Sequence, residues 1–265
     1  MIEEFPTRYD VDARRLHRWV RGDWQLLPWT TGYRQTKGGL SALNRWKMID
    51  NLRRSLMAPV VLLALALGWT LPSADALSST AVVLALTAVP LLIGLPLAIL
   101  PGRAGITSRS HLQALAGDTT TALARFGVSV ALLADTAAQR LDAIARSLVR
   151  LKTGRHLLEW LTAAQSAGGG MPGPAQYYRL GLGGVALGVG ICAALTALNP
   201  AVWPLTLPFA ALWLGTPALL WRLSQPHASH RIADLTDTEV QRLRLIARRT
   251  WRYFGGLYGS VAQTP

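Results

Sequence analysis

The residues best suited to chemistry in this sequence are the arginines and tryptophans that crowd into residues 13–29. Arg14, Arg18 and Arg21 are spaced i, i+4 and i+7, so a helix would place all three on one face. A planar guanidinium group binds phosphate oxygens, and a tryptophan ring offers a flat face to a sugar or a cation. A cluster of both types could hold a phosphate-activated sugar.

The same residue types also have a purely structural explanation. This cluster precedes the first long apolar run, and arginine and tryptophan commonly anchor a membrane helix at its cytoplasmic boundary. Arg15 and Trp19 are four residues apart, which would make them neighbours on a helix whichever explanation holds. Asp10 and Asp12 fit the acidic enrichment of a helix N-terminus.

The composition predicts a membrane protein. The chain has 265 residues, of which 51% are hydrophobic and 15% charged, and its formal net charge is +13. Such a charge can indicate nucleic-acid binding, but here the basic residues flank apolar runs, so no nucleic-acid partner is expected. The single cysteine, Cys192, permits no disulfide within the chain and belongs to no Cys/His metal-binding pattern.

Four apolar runs predict transmembrane helices arranged as two hairpins. Proline should kink the second helix at Pro90 and Pro96, and the many glycines of the third permit close helix contact. Basic residues concentrate in the intervening polar segments and not in the two short turns, which predicts that both termini face the cytoplasm. The runs are approximately 56–71, 80–100, 178–198 and 201–223.

The polar segments predict helices on the cytoplasmic face. Residues 41–55 have the pattern of an amphipathic helix that lies flat on the membrane surface. Residues 101–177 predict two or three amphipathic helices, one of them from about Thr136 to Gln165. The apolar patch 126–134 is too short to span a bilayer. Near the C-terminus, Thr236 and Glu239 fit a capping box that starts another helix.

One motif is more specific than its composition. The run RLHRWVRGDWQ resembles the Q-x-x-R-W motif of processive, membrane-bound inverting glycosyltransferases of the cellulose synthase type, and in particular the glycosyltransferase part of cyclic β-1,2-glucan synthases. The segments EEFPTRYDVD, LSALNRWKMIDNLRRSL and TGRHLLEWLTAAQ resemble that family in the same order, so that the resemblance extends from Ile2 to about Tyr253. The usual glutamine of the motif is Arg15 here, which puts any role of that glutamine in doubt.

The resemblance implies a fold and a division of the chain. The fold would be an all-α integral membrane protein with four transmembrane helices as two hairpins, cytoplasmic amphipathic interface helices, and the tail end of a GT-A-type glycosyltransferase domain. The chain would be a fragment of a larger synthase. Its parts would be 1–55 (end of the glycosyltransferase domain), 56–100 (first hairpin), 101–177 (cytoplasmic helices), 178–223 (second hairpin) and 224–265 (cytoplasmic tail leading to further domains).

The resemblance also implies an activity: transfer of glucose from UDP-glucose to a growing β-glucan at the bacterial inner membrane. Arg18 would contact the donor diphosphate and Trp19 would carry the acceptor sugar. A divalent ion, Mg²⁺ or Mn²⁺, would be held by carboxylates outside this chain, and the catalytic base would also lie outside it. The candidate donor- and acceptor-binding residues are Arg15, Arg18, Trp19, Arg21, Asp23, Trp24 and Gln25.

Two other functions stay open at this point. The chain could be a non-enzymatic membrane anchor or a glucan-export subunit of a synthase complex. A transporter is a weaker alternative, because no predicted span carries an ionisable residue at its centre, as coupled transport commonly requires.

Overall fold

The structure, a computed structural model, describes residues 8–34, 39–95, 108–155, 172–225 and 235–261. Helices account for the regular structure in these ranges, and no strand occurs there. The chain divides into two compact units, one ending at Ser224 and one starting at Gln225. The helices are α1 (Tyr9–Gln25), α2 (Leu27–Thr30), α3 (Ala42–Gly68), α4 (Ser73–Leu92), α5 (Ser108–Ala131), α6 (Leu133–Thr153), α7 (Pro174–Leu198), α8 (Trp203–Leu223) and α9 (Asp237–Val261).

Within the described ranges, four helical segments are long and apolar enough to cross a membrane, as the hydropathy pattern predicts. They are α3, α4, α7, and α8 together with the short 3₁₀ turn Pro200–Val202 that precedes it. Few residues separate α3 from α4 and α7 from α8, and each pair packs together. Their arrangement as two membrane-crossing hairpins stays a prediction.

The first span differs from the sequence-based expectation. Residues 41–55 were expected to form a separate helix on the membrane surface, but they continue into the apolar run as one helix, α3. Ser41 caps this helix by accepting a hydrogen bond from the Asn44 backbone N–H at 3.3 Å. No glycine or proline stands between this cap and Pro59, so nothing in the backbone interrupts the helix.

The second span also has different limits. Helix α4 starts at Ser73, earlier than residue 80, and Pro90 lies inside it. Pro72 supplies an extended residue immediately before the helix, which explains the early start. Pro96, where a second kink was predicted, lies outside the described residues.

Helices α5 and α6 occupy much of the segment 101–177, and its placement on the cytoplasmic face stays a prediction. They meet at Leu132 with a bend of 55°, and together they pass the same length and hydropathy test as a broken span or a re-entrant loop. The first turns of α6 lie inside the hydrophobic core between α3 and α8 rather than on an outer face, as the burial of Leu133, Ala134 and Ala137 shows. The patch 126–134 is too short to span alone, but it forms the middle of this bent pair.

Helix α8 supplies the hydrogen bonds that the break requires. The indole N–H of Trp213 donates to the carbonyl of Val130 at 3.1 Å, and the hydroxyl of Thr216 donates to the carbonyl of Ala131 at 2.7 Å. A buried carbonyl without a partner is costly in an apolar environment, so these side chains stabilise a break that contains neither glycine nor proline.

Helix α6 ends earlier than predicted. The expected end was Gln165, but the helix ends at Thr153 because Gly154 adopts a left-handed conformation with φ of +67° and its N–H donates to the Arg150 carbonyl. The remainder of the predicted helix, residues 156–165, lies outside the described residues.

The predicted close contact at the glycine-rich third span is confirmed. Gly181, Gly184 and Gly188 line one face of α7, and a Cβ atom at any of them would collide with a neighbouring helix. At Gly188 it would lie 2.6 Å from the Trp213 ring and 2.8 Å from the Ala134 side chain. The glycine face therefore lets α6 and α8 pack closely on α7.

The second unit contains α9, and one of the two hydrogen bonds of its predicted capping box is present. The Glu239 carboxylate accepts a hydrogen bond from the Thr236 backbone N–H at 2.9 Å. This contact occupies a backbone donor at the helix start and explains why the helix begins at Asp237.

Candidate functional site

The Arg/Trp cluster lies on α1, and α1 is attached to the ends of other helices. The Tyr9 hydroxyl donates to the Asp135 carboxylate and accepts from Gln139 of α6 at 2.9 Å, while the Tyr9 backbone N–H donates to Ser224 at 3.1 Å. Burial, together with the nearby Asp135 charge, raises the pKa of Tyr9, so the phenol stays protonated and can act as a donor. This residue joins the start of α1 to α6 and to the end of α8.

Asp10 holds the first turn of α1 through a buried ion-pair network. Its side chain is fully buried, and it accepts hydrogen bonds from Arg8 at 2.9 and 3.0 Å and from Arg14. Burial opposes its ionisation, but the hydrogen bonds and charges of Arg8 and Arg14 outweigh burial and lower the pKa of Asp10. Arg14 is therefore paired with Asp10 of the same helix, although its spacing from Arg18 predicts that the two arginines share a helical face.

The later turns of α1 pack on α6 and α3. Val20, Ala143 and Ile144 form a small hydrophobic cluster, and Trp24 packs against it. The Trp24 indole N–H also donates to the Ser55 hydroxyl of α3 at 2.9 Å. These contacts fix the angle at which α1 presents its other face.

That face forms one wall of an open groove between α1, α3 and α6, with a volume of about 800 Å³. The volume is in the range of small-molecule sites. Three of the predicted binding residues line the groove, together with residues from the other two helices. Its main polar and aromatic lining is Arg18, Trp19, Asp23, Asn51, Arg54 and Arg140.

Trp19 is the exposed aromatic surface of the groove. Its side chain is 48% exposed, and the Arg15 guanidinium lies over its ring at 4.7 Å from the centroid. Arg15 is also paired with Asp12 at 3.1 Å and lies outside the groove lining. This places Arg15 as a support for the Trp19 ring.

Asp23 is the carboxylate of the groove. It accepts a hydrogen bond from the Asn51 side chain of α3 at 3.3 Å. Burial raises the pKa of Asp23, and the hydrogen bond from Asn51 opposes that rise only in part. A carboxyl group with a perturbed pKa in a groove is a common feature of functional sites.

The structure does not bring the remaining predicted residues to the groove wall. Trp24 faces the packed side of α1 as described, and Arg21 and Gln25 are half-buried outside the groove lining. The Arg21 carbonyl accepts a hydrogen bond from Ser147 of α6 at 3.3 Å, which ties this turn to the core. A binding role for these three residues stays a prediction.

Two groove arginines were not identified as candidates from the sequence. Arg54 lies on α3, where it pairs with Asp50 at 2.6 Å, and Arg140 lies on α6, where it donates to the Arg54 carbonyl at 2.8 Å. Both look like ordinary flanking charges in a linear sequence. Both arginines reach the groove because α3 and α6 pack beside α1, and a local sequence motif cannot predict that packing.

The groove does not have the ligands for a divalent ion. Asp23 is the one carboxylate in its lining, and no group of three His, Cys, Asp or Glu side chains comes together in the described residues. No step through Mg²⁺ or Mn²⁺ can be assigned to these residues.

Comparison with known proteins supports the resemblance seen in the motif. No family model matches the chain. The cyclic β-(1,2)-glucan synthase NdvB of Rhizobium meliloti (strain 1021) is 39% identical over 258 residues, which is 96% of this chain. The chain spans 9% of the length of that relative. The protein is therefore similar, along nearly all of its sequence, to one segment of a cyclic β-(1,2)-glucan synthase.

Proposed function

We propose that this chain is the membrane and acceptor-side segment of an inverting glycosyltransferase that transfers glucose from UDP-glucose to a growing β-glucan. Two observations support the proposal: the similarity to NdvB and the groove that places Arg18 beside Trp19. The donor-binding GT-A domain, the divalent ion with its ligands, and the catalytic base belong to other synthase domains or subunits.

The chemistry assigns different roles to the two groove residues. Transfer to a sugar hydroxyl releases a nucleoside diphosphate, and a positive group near its oxygens stabilises the charge that develops there. Arg18 supplies that charge from α1. Trp19 offers an exposed ring on which the acceptor sugar can stack. The observation that carries the proposal is that Arg18 and Trp19 line the same groove and that packing fixes the helix, α1, on which both lie.

The same proposal places the segment in the bacterial inner membrane. The four candidate spans cross the bilayer as two hairpins, and both termini face the cytoplasm. Asn51 and Arg54 lie in the polar half of α3, so the groove opens at the cytoplasmic boundary. UDP-glucose and the growing glucan would meet there.

A binding experiment tests the donor contact. UDP-glucose is titrated into a full-length synthase that contains this segment, and the heat of binding is measured. Arg18→Ala should weaken binding about tenfold, because it removes a charge-assisted contact to the diphosphate. Arg53→Ala is the matched control, since Arg53 is exposed and lies outside the groove. An unchanged affinity in the Arg18 variant would contradict the assignment.

The alternative is a non-enzymatic membrane anchor or glucan-export subunit. The lining of the groove favours this alternative, because it contains arginines and an aromatic ring but only a single carboxylate, Asp23. We expect the purified chain by itself to show no release of UDP from UDP-glucose, with or without Mg²⁺ or Mn²⁺. Turnover by the isolated chain would show that it carries a complete catalytic site. If Arg18→Ala leaves synthesis intact but blocks export in the full-length protein, the subunit alternative is correct.

A further inference from the structure

A second groove, of about 850 Å³, lies between α3, α4, α5 and α6 and has an apolar lining. Met57, Val61, Val83 and Leu132 are typical of that lining. Met57, Val60 and Leu86 are 48%, 54% and 66% exposed, so the groove is open along one side. Helices α3 and α4 are both candidate spans, which places this opening against lipid hydrocarbon.

The polar lining groups do not suit a sugar. Thr87 donates its hydroxyl to the Leu84 carbonyl at 2.8 Å, and Ser129 donates to the Phe126 carbonyl at 2.7 Å. The hydroxyl donors of Thr87 and Ser129 are therefore used by their own helices, which leaves Thr136 as the third hydroxyl of the lining. A glucan would lose hydrogen bonds to water on entering this groove and would recover few of them, whereas an acyl chain would lose none.

One charged residue lines the groove. Arg140 also borders the Arg18/Trp19 groove and donates to the carbonyl of Arg54, which lies three residues before Met57. The cation is thus at the end of the apolar groove where α3 becomes polar. No carboxylate pairs with Arg140 in the part of the chain that the structure describes. A half-buried guanidinium without a counter-ion favours an anionic ligand.

We propose that this groove binds one anionic glycerophospholipid, with an acyl chain along the aliphatic lining and its phosphate on Arg140. Basic residues between membrane helices at the cytoplasmic side are suited to lipid headgroups, and each buried methylene adds to the affinity. This site shares Arg140 with the proposed sugar groove, but it does not depend on the glycosyltransferase assignment. A lipid here would fill the space between α4 and the bent pair.

Competitive lipid retention tests the charge contact. The chain is reconstituted in vesicles of equal phosphatidylcholine and phosphatidylglycerol, extracted in mild detergent, and its retained lipids are measured by native mass spectrometry. Wild type should retain phosphatidylglycerol preferentially, and Arg140→Gln should lower that preference about tenfold. Arg140→Lys should keep most of it, since the charge remains. Arg146→Gln is the control on the same helix, because Arg146 pairs with Asp142 instead.

A second variant tests the acyl chain independently of charge. Ala64 lines the groove, so Ala64→Trp should fill it and reduce retention of both lipids. Leu63→Trp is the control, since Leu63 is exposed outside the lining. The proposal is overturned if Arg140→Gln keeps the wild-type preference, if Ala64→Trp retains as much lipid as Leu63→Trp, or if inorganic phosphate alone displaces the lipid. Thermal midpoints of the variants identify any that fail to fold.

Discussion

At the scale of single residues, neighbouring arginines of α1 have different roles. Arg14 is bound to Asp10, Arg15 lies against Trp19, and Arg18 lines the groove. The local motif identifies Arg18 and Trp19 as candidates, and both line the groove, whereas Arg14 and Arg21, which share a helical face with Arg18 by spacing, do not. It does not predict Arg140, which reaches the same groove from α6. Nor does it show that Trp24 is turned into a packing contact.

The Asp10 network gives a prediction for stability against pH. The folded-state pKa of Asp10 is lowered, so its stabilising effect is present above the usual carboxyl range and is lost as the pH falls through the lowered value. Asp10→Asn removes the carboxylate that Arg8 and Arg14 share and should cost about 3 kcal/mol at neutral pH.

The thermal midpoint of the purified chain in detergent, measured from neutral to acidic pH, tests this expectation. The difference between wild type and Asp10→Asn should be largest near neutrality and should shrink on acidification. Asp12→Asn is the control, since Asp12 is partly exposed and pairs with Arg15 of the same helix. Equal midpoints for wild type and Asp10→Asn at neutral pH would contradict the role of the network.

At the scale of elements, the least predictable feature is the break between α5 and α6. The hydropathy pattern identifies the four long apolar helices because each is continuous. The break carries no glycine or proline, and the hydrogen bonds that stabilise it come from Trp213 and Thr216 on another helix. For this segment, the amphipathic pattern alone predicts a helix on the surface. In the structure, the first turns of α6 are buried in the hydrophobic core instead.

The glycine face of α7 gives a prediction about this packing. A methyl group at Gly184 would collide with the backbone at Asp135, which cannot move as a flexible side chain could. Gly184→Ala should therefore lower the free energy of unfolding by about 1–3 kcal/mol. Gly190 is the matched position on the same helix, with nothing within 4 Å of an added Cβ. Gly190→Ala should be neutral or stabilising by up to about 1 kcal/mol. Equal thermal midpoints for the two variants would refute close contact at Gly184.

At the scale of the whole molecule, the apolar helices of the first unit pack together, and α1 is fixed on α3 and α6 of that unit. The groove exists because α1 packs on α6 and α3, so that residues of the short motif face residues of those two helices. The similarity to NdvB covers nearly the whole chain but a small share of that relative. The proposed chemistry is therefore a property of this segment together with other synthase domains.

Glucose incorporation tests the central claim most directly. A full-length synthase containing this segment is supplied with labelled UDP-glucose, and the label in β-glucan is measured for Arg18→Ala and Trp19→Ala. The controls are Arg53→Ala and Trp251→Ala, since Trp251 is an exposed tryptophan of α9. Loss of a group that stabilises transition-state charge typically lowers the rate about 100-fold or more. We expect such a loss for Arg18→Ala and a marked loss for Trp19→Ala, which removes the stacking surface for the acceptor sugar, with unchanged membrane insertion and near-normal synthesis for the controls. Normal synthesis by both groove variants would contradict the account.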